Sequence, residues 1–171
     1  MTAVLESTTV FTGRIFEVHV DRVRLPHGRE VRMDVVRHPG SVVLVPIPES
    51  DRVILVRQYR YAVDRWLWEL PAGSLEPGED ALTAARRECH EEIGLLPGAI
   101  EEIGRFYPTP GFCDEQMIFF RLTSLAEPAA AAAHDEDESI EVKTFSLAEA
   151  RQLVRQGEIR DLKSAVGLSL V

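Results

Sequence analysis

The chain of 171 residues is short of positive charge. Its 19 Lys and Arg stand against 28 Asp and Glu, a net charge of −9. Nucleic-acid phosphates are held by clustered Lys and Arg, so a nucleic-acid partner is not expected. The same deficit argues against an anionic membrane surface. If the substrate is itself anionic, cations must mediate its binding. Cysteine is scarce. Cys89 and Cys113 form neither a CxxC pair nor a zinc spacing. Cys89 lies in a helical pattern and reads as a small core residue. A disulfide between the two stays open, against a composition that looks cytosolic. Long apolar runs are missing too. The longest are strand-length, too short to span a bilayer. The opening "MTAVLESTTVF" has no basic segment and no long apolar run, so no signal peptide is visible. The expected location is cytoplasmic. No long-period internal repeat is present. What is present is 45% hydrophobic residues, enough to core one domain of ordinary size.

The first forty residues read as strands. "VHVDRVRLPHGREVRMDVVRHPG" holds two β-rich runs joined by a hairpin built on Pro26 and Gly28. "SVVLVPI" and "DRVILVRQY" follow, then "WLWELPAG", ended by Pro71 and Gly73. A helix pattern begins near Asp80 and stops at Gly94. "IEEIGRFY" and "EQMIFFRL" read as strands around the loop "PTPGFCD", and "IEVKTF" reads as the last strand. Ser146 and Glu149 form an S-x-x-E capping box for a helix that Gly157 ends. A last short helix is expected from Leu162 to Leu170. "EPAAAAAHDEDES" reads as a loop, because Pro128 precedes its alanines and four acids follow them. Many strands with two or three helices, without strict alternation, imply a mixed-sheet α/β or α+β domain.

"RRECHEEIG", Arg86 to Gly94, places three glutamates within five positions. On a helix such like charges repel. With Glu88 at zero and about 100° per residue, Glu92 lies near 40° and Glu91 near −60°. Leu82, Cys89 and Ile93 fall on the expected core side. Ala81, Ala84 and Ala85 fall on the carboxylate side, where small residues would leave space for another group. Two readings are open at this point. The face is solvated and paired with Arg86 and Arg87, or it binds hard divalent cations, which prefer oxygen ligands.

The wider stretch from Gly73 to Leu95 reads G-x5-E-x7-R-E-U-x-E-E-x-G-U, where U is a bulky apolar residue. Its fixed positions are Gly73, Glu79, Arg87, Glu88, Glu91, Glu92 and Gly94. Chance would produce it on the order of once per billion start positions. The stretch is similar to the signature of the Nudix hydrolases, with Cys89 slightly unusual at an apolar position. Gly73 permits a tight loop and close backbone approach to a ligand. Arg87 can fix the face through charge-assisted bonds. By resemblance, Glu88 and Glu92 are the principal metal ligands, Glu91 contributes, and the carbonyl of Ala72 adds an oxygen. Glu79 orients the loop or reaches metal through water. The resemblance implies Mg2+, or Mn2+, as two or three ions, and an α/β/α sandwich with a mixed central sheet. It takes residues 1–171 as one domain, with 1–40 an N-terminal antiparallel β extension and 73–95 the signature.

Outside the signature, three features resemble the ADP-ribose pyrophosphatase branch. These are "LVRQYRYAVDRWLWELPAG", Pro110 fifteen residues beyond Leu95, and the acidic "DEDESIEV". Arg60 matches a diphosphate-binding arginine of relatives, and a planar guanidinium suits phosphate oxygens. Arg37 is a weaker candidate. Pro110, Gly111 and Phe112 form a loop that can lie against the sugar or base. Trp66 and Trp68 read as core ahead of base-stacking residues. Since the signature's carboxylates would hold metal, water activation calls for another base or the metal itself. Glu136 matches that loop position by register, with Glu138 as alternative. The implied reaction is hydrolysis of ADP-ribose to AMP and ribose 5-phosphate. Other nucleoside diphosphate sugars, such as GDP-mannose or UDP-glucose, are the alternative. A non-catalytic ligand sensor is a remote one, because this chain keeps every signature glutamate. The N-terminal strands are expected to make a homodimer. His90 is expected to face solvent.

Overall fold

The structure is a computed structural model that describes residues 2–129 and 140–171. Three strands open the chain: β1 (Ala3–Thr12), β2 (Glu17–Arg24) and β3 (Glu30–Arg37). They form one antiparallel sheet in the order β1-β2-β3. The expected hairpin joins β2 to β3, and Gly28 supplies its positive φ of 90°. Next come β4 (Ser41–Pro46), β5 (Arg52–Arg60), β6 (Arg65–Glu69), β7 (Ala72–Ser74) and helix α1 (Ala81–Ile93). The rest are β8 (Leu96–Phe106), β9 (Met117–Ala126), β10 (Glu141–Ser146), α2 (Leu147–Gln156) and α3 (Leu162–Ser169).

β7, β4, β9 and β8 make a four-stranded mixed sheet whose one parallel pair is β4 with β9. β10, β5 and β6 make a third, antiparallel sheet. Every residue of β4 is buried, as expected of a strand covered on both faces. Its side chains alternate between two cores. Val42 and Leu44 join Ile54, Val56, Ile118 and Phe120 beneath α1. Val43 and Val45 join Leu55, Leu70 and Phe119 with Ala150 of α2 and Leu168 of α3. Helices therefore cover both sides of the strands, which is the sandwich with a mixed sheet that the family resemblance implies. The capping box forms in both directions: Ser146 Oγ accepts from the Glu149 amide, and Glu149 accepts from the Ser146 amide. Both cysteines are free thiols. Cys89 is on the buried face of α1 (Ala81–Ile93), and burial pushes its thiol up to about 12.

Candidate active site

Helix α1 is fixed at both ends. The Asp80 side chain accepts from the amides of Leu82 and Thr83 at 3.0 and 3.1 Å. Gly94 closes the helix in the left-handed conformation at φ 71° and donates to the His90 carbonyl. The buried residues of α1 are Ala84, Ala85, Glu88, Cys89, Glu92 and Ile93. This corrects the helical-wheel reading in two places. Ala84 and Ala85 are in the core rather than lining open space, and Leu82 is 52% exposed. Glu88 and Glu92 thus sit in the middle of the buried arc, not on a flank. A wheel gives angles between side chains but not the direction of the sheet. His90 is half-buried rather than solvent-facing.

The carboxylates are received by β7. The Ala72 amide donates to Glu92 Oε2 at 3.1 Å. Gly73 pairs with Val42 of β4, and a Cβ placed on it would lie 1.7 Å from Glu88 Oε1. The group that needs the missing side chain at Gly73 is therefore the Glu88 carboxylate, where a ligand's approach was expected.

Arg87 binds the arrangement together. Its Nε and Nη2 donate to the two oxygens of Glu79 at 3.0 and 2.9 Å. Its Nη1 donates to Glu88 at 2.6 Å and to Glu91 at 2.9 Å, and Nη2 also reaches the Ser74 carbonyl at 3.3 Å. One cation therefore spans three carboxylates and offsets the repulsion that the sequence raises. The bond to Glu79, countered by partial burial, raises the guanidinium's pKa above its ordinary value. The same bond holds the Glu79 carboxyl below the usual range. Glu79 also accepts from the Glu76 amide, so its observed place is that of a loop brace. Among the described residues, no three acidic, histidine or cysteine side chains converge into a ready-made ion site. The donor set still fits a hard divalent cation. Glu88, Glu91, Glu92 and the Ala72 carbonyl offer oxygen only, which is the ligand chemistry Mg2+ prefers.

Arg60 ends β5 and faces Glu69 of β6, donating from Nε at 3.0 Å and from Nη2 at 2.7 Å. Glu92 is near enough for its charge to favour the charged guanidinium. Arg37 is tied down instead: it donates to buried Asp21 at 2.6 Å and to Asp114 at 3.1 Å. The loop carrying Pro110, Gly111 and Phe112 is stitched to the same strand. The Val36 amide donates to the Phe112 carbonyl, and the Asp114 amide donates to the Val36 carbonyl. Phe112 itself is exposed. A cavity of about 590 Å³ links this region to the signature loop, with Arg14, Phe16, Arg37, His38, Ser74 and Glu76 on its wall. That is within the range of small-molecule sites. The sequence reading missed the contribution of Arg14 and Phe16, since nothing in a strand connection announces which loop it will face. It also missed Glu69, although a lone carboxylate in the apolar run "WLWELP" signals a buried partner. Trp68 is partly buried against the core, packed edge-on against Phe145 at 5.1 Å. Trp66 is half-exposed instead, with the Arg57 guanidinium 5.6 Å from its ring centre. Glu136 and Glu138 lie outside the described residues.

A mixed sheet between helices that sets an arginine-braced carboxylate helix behind a glycine strand defines a hydrolase of Nudix type. Comparison with known proteins agrees. The NUDIX domain model matches residues 37–164, and the chain belongs to that family. The model described as nucleoside diphosphate sugar hydrolase N-terminal domain matches residues 3–32. A methanol dehydrogenase activator of Bacillus methanolicus is 34% identical, over 96% of this chain and 89% of its own. An ADP-ribose pyrophosphatase of Bacillus subtilis (strain 168) is 35% identical, over 93% of this chain and 86% of its own. The crystal structure of an ADP compounds hydrolase superposes with a TM-score of 0.80 at 24% identity, covering 99% of this chain and 91% of that one. Among the described residues no helix is long and apolar enough to cross a membrane.

Proposed function

We propose that the chain hydrolyses the diphosphate of ADP-ribose, with water, to AMP and ribose 5-phosphate. The observation that carries this reading is the α1 carboxylate face, braced by Arg87 and received by Gly73. The relatives' printed activity supports the choice of substrate. Family members generally depend on divalent metal; here Mg2+, or Mn2+, is assigned as two or three ions to Glu88, Glu91, Glu92 and the Ala72 carbonyl. Bound divalent ions supply Lewis acidity toward the phosphoryl oxygens and neutralise their charge. Glu79 and Arg87 hold the ligands in place. Arg60 has five N–H donors, of which Glu69 engages two, leaving three for phosphate oxygens. Arg37 borders the cavity that takes the remainder of the substrate, and the loop of Pro110, Gly111 and Phe112, bonded to the neighbouring Val36, is assigned to the sugar or base. Glu136, with Glu138 as alternative, is assigned as the base by its place along the chain alone.

A second reading, cleavage of other nucleoside diphosphate sugars such as GDP-mannose and UDP-glucose, is favoured by the match of residues 3–32. Residues 1–171 are proposed to work as one cytoplasmic domain. Residues 1–40 are proposed to mediate homodimerisation, because Val4, Val10, Phe11 and Phe16 are exposed on and beside β1. A monomeric mass at micromolar protein would remove the dimer.

The deciding experiment follows product release by chromatography, with Mg2+ and with chelator, for wild type and Glu92→Gln. Metal-dependent AMP release from ADP-ribose, lost in the variant, is expected. Faster cleavage of GDP-mannose or UDP-glucose would replace the substrate and keep the site. No cleavage of any of them would overturn the nucleoside diphosphate sugar reading and reopen the remaining Nudix substrates and the ligand-sensor reading.

A further inference from the structure

Arg60 does not hold its orientation by itself. Arg60, Gln58 and Val56 alternate along β5 and share one face. Glu69 pairs opposite Val56 and faces the same way. This is the face whose Val56 packs with α1. The Glu69 side chain is 2% exposed, yet it receives two cations: Arg60 on both oxygens, and Lys163 Nζ at 2.6 Å. Burial alone pushes the Glu69 carboxyl up, but the bonds and charges of Arg60 and Lys163 outweigh it and hold the group ionised. Lys163 comes from α3, where its side chain is 10% exposed and its Nζ also contacts Asp161 Oδ2 at 3.0 Å. Asp161 is the N-cap of that helix and accepts from the Ser164 amide. The Ser164 hydroxyl in turn receives the Leu70 amide at 2.6 Å. The C-terminal helix is thereby fastened to the strand end that carries Glu69.

A buried carboxylate shared by a fork-shaped cation and a point cation has only one good arrangement. Arg binds it edge-on through two parallel N–H groups, which fixes the guanidinium plane. Lys163 satisfies the remaining acceptor capacity of Oε2 and keeps Glu69 from turning. We propose that Lys163 and Glu69 are positioning residues for the reaction: α3 aims the outer edge of the Arg60 guanidinium at the substrate's diphosphate. The proposal rests on the reading of Arg60 as the diphosphate contact. It makes a residue far along the chain from the signature a determinant of substrate binding.

The test is a double-mutant cycle on the full-length protein, using Arg60→Gln, Lys163→Met and the pair. KM and kcat are measured with the nucleoside diphosphate sugar that wild type cleaves fastest. Misplacing one contact group by a fraction of an ångström costs about tenfold in KM here, with a smaller change in kcat. Lys163→Met is expected to show that rise in the Arg60 background and none in the Arg60→Gln background. Lys163→Arg, which restores a cation, is expected to recover most of the loss. If Lys163→Met does not fold, Lys163→Gln carries the same comparison, because it keeps a donor to Glu69 without charge. An equal effect of Lys163→Met in both backgrounds would overturn the positioning role while leaving Arg60 as a contact. An Arg60→Gln variant with unchanged KM and kcat would overturn the contact and the proposal together, while the hydrolase reading would stand on the wild-type rate.

Discussion

Replacing Gly73 with alanine probes the site with a single methyl group. The added Cβ would lie 1.7 Å from Glu88 Oε1, 1.9 Å from Cδ and 2.4 Å from Oε2. Ordinary carbon contacts begin near 3.5 Å, so the carboxylate must retreat by about 1.5 to 2 Å. It is the end of a flexible side chain, so the retreat is a rotation and not an unfolding. That rotation breaks the 2.6 Å bond from Arg87 and moves an oxygen out of the face proposed to hold metal. Misplacement by about 1 Å at a reacting centre can lower a rate by about a hundredfold, or roughly 2.7 kcal/mol of barrier. Gly73→Ala is therefore expected to fold with a thermal midpoint within a few degrees of wild type. Its kcat should fall by about a hundredfold, and it should need more Mg2+ for half-maximal rate. The assay is AMP release across a Mg2+ series beside a thermal melt. Retention of kcat within threefold, with unchanged metal dependence, would refute the argument that Glu88 must occupy the space over Gly73. A collapsed melt would refute the argument that the carboxylate yields before the backbone.

Arg87→Lys keeps the charge but replaces a five-donor fork with three donors at one point, so it cannot hold Glu79, Glu88 and Glu91 together. Activity is expected to fall by about tenfold or more while the protein stays folded, measured by the same AMP assay and a melt. The Asp21 carboxyl lies below its ordinary 3.8, first through the Ser7 hydroxyl and then through the Arg37 charge. A depressed pKa contributes stability above about pH 4 that is lost as pH falls through the lowered value. Because Arg37 is 41% exposed, the contribution is about 1 kcal/mol. Asp21→Asn should flatten the acid side of a plot of thermal midpoint against pH, and an unchanged slope would count against the Asp21 contacts. Ser146→Ala removes the cap of α2 and should cost about 1 kcal/mol in denaturant unfolding, with kcat unchanged.

Local signals carried much of the architecture. The turn at Gly28, the stop at Gly94 and the Ser146–Glu149 box are decided by residues within one turn of chain, and each stands where it was expected. Packing between distant elements was not legible. The wheel of α1 placed the glutamates correctly relative to each other, but it took the apolar side as the only buried side. Ala84 and Ala85 are buried because β4 and β5 lie beneath the carboxylates as well. Arg37 illustrates the same limit. Its type suits phosphate, but only the tertiary structure brings Asp21 and Asp114 against it, on strands and loops far apart in the chain. The run "WLWELP" signals that Glu69 needs a partner, but that the partners are Arg60 and Lys163 is set only by the fold.

The crowding of Glu88, Glu91 and Glu92 follows from this geometry. An exposed acidic patch would be tolerated by water alone, and its members would be free to adapt. Here Glu88 and Glu92 are 8% and 7% exposed, so water cannot relieve them. Buried charge must be matched by fixed partners. Arg87 supplies one partner and the Ala72 amide another. Those same contacts fix where the carboxylate oxygens stand before any ion arrives. The oxygens do not yet converge on one point, so the ion proposed here would have to draw them together on binding. The repulsion written into "RRECHEEIG" is thus offset by fixed partners on the protein itself. Arg87 and the Ala72 amide are among the groups that hold the carboxylate face, and the space over Gly73 gives it room.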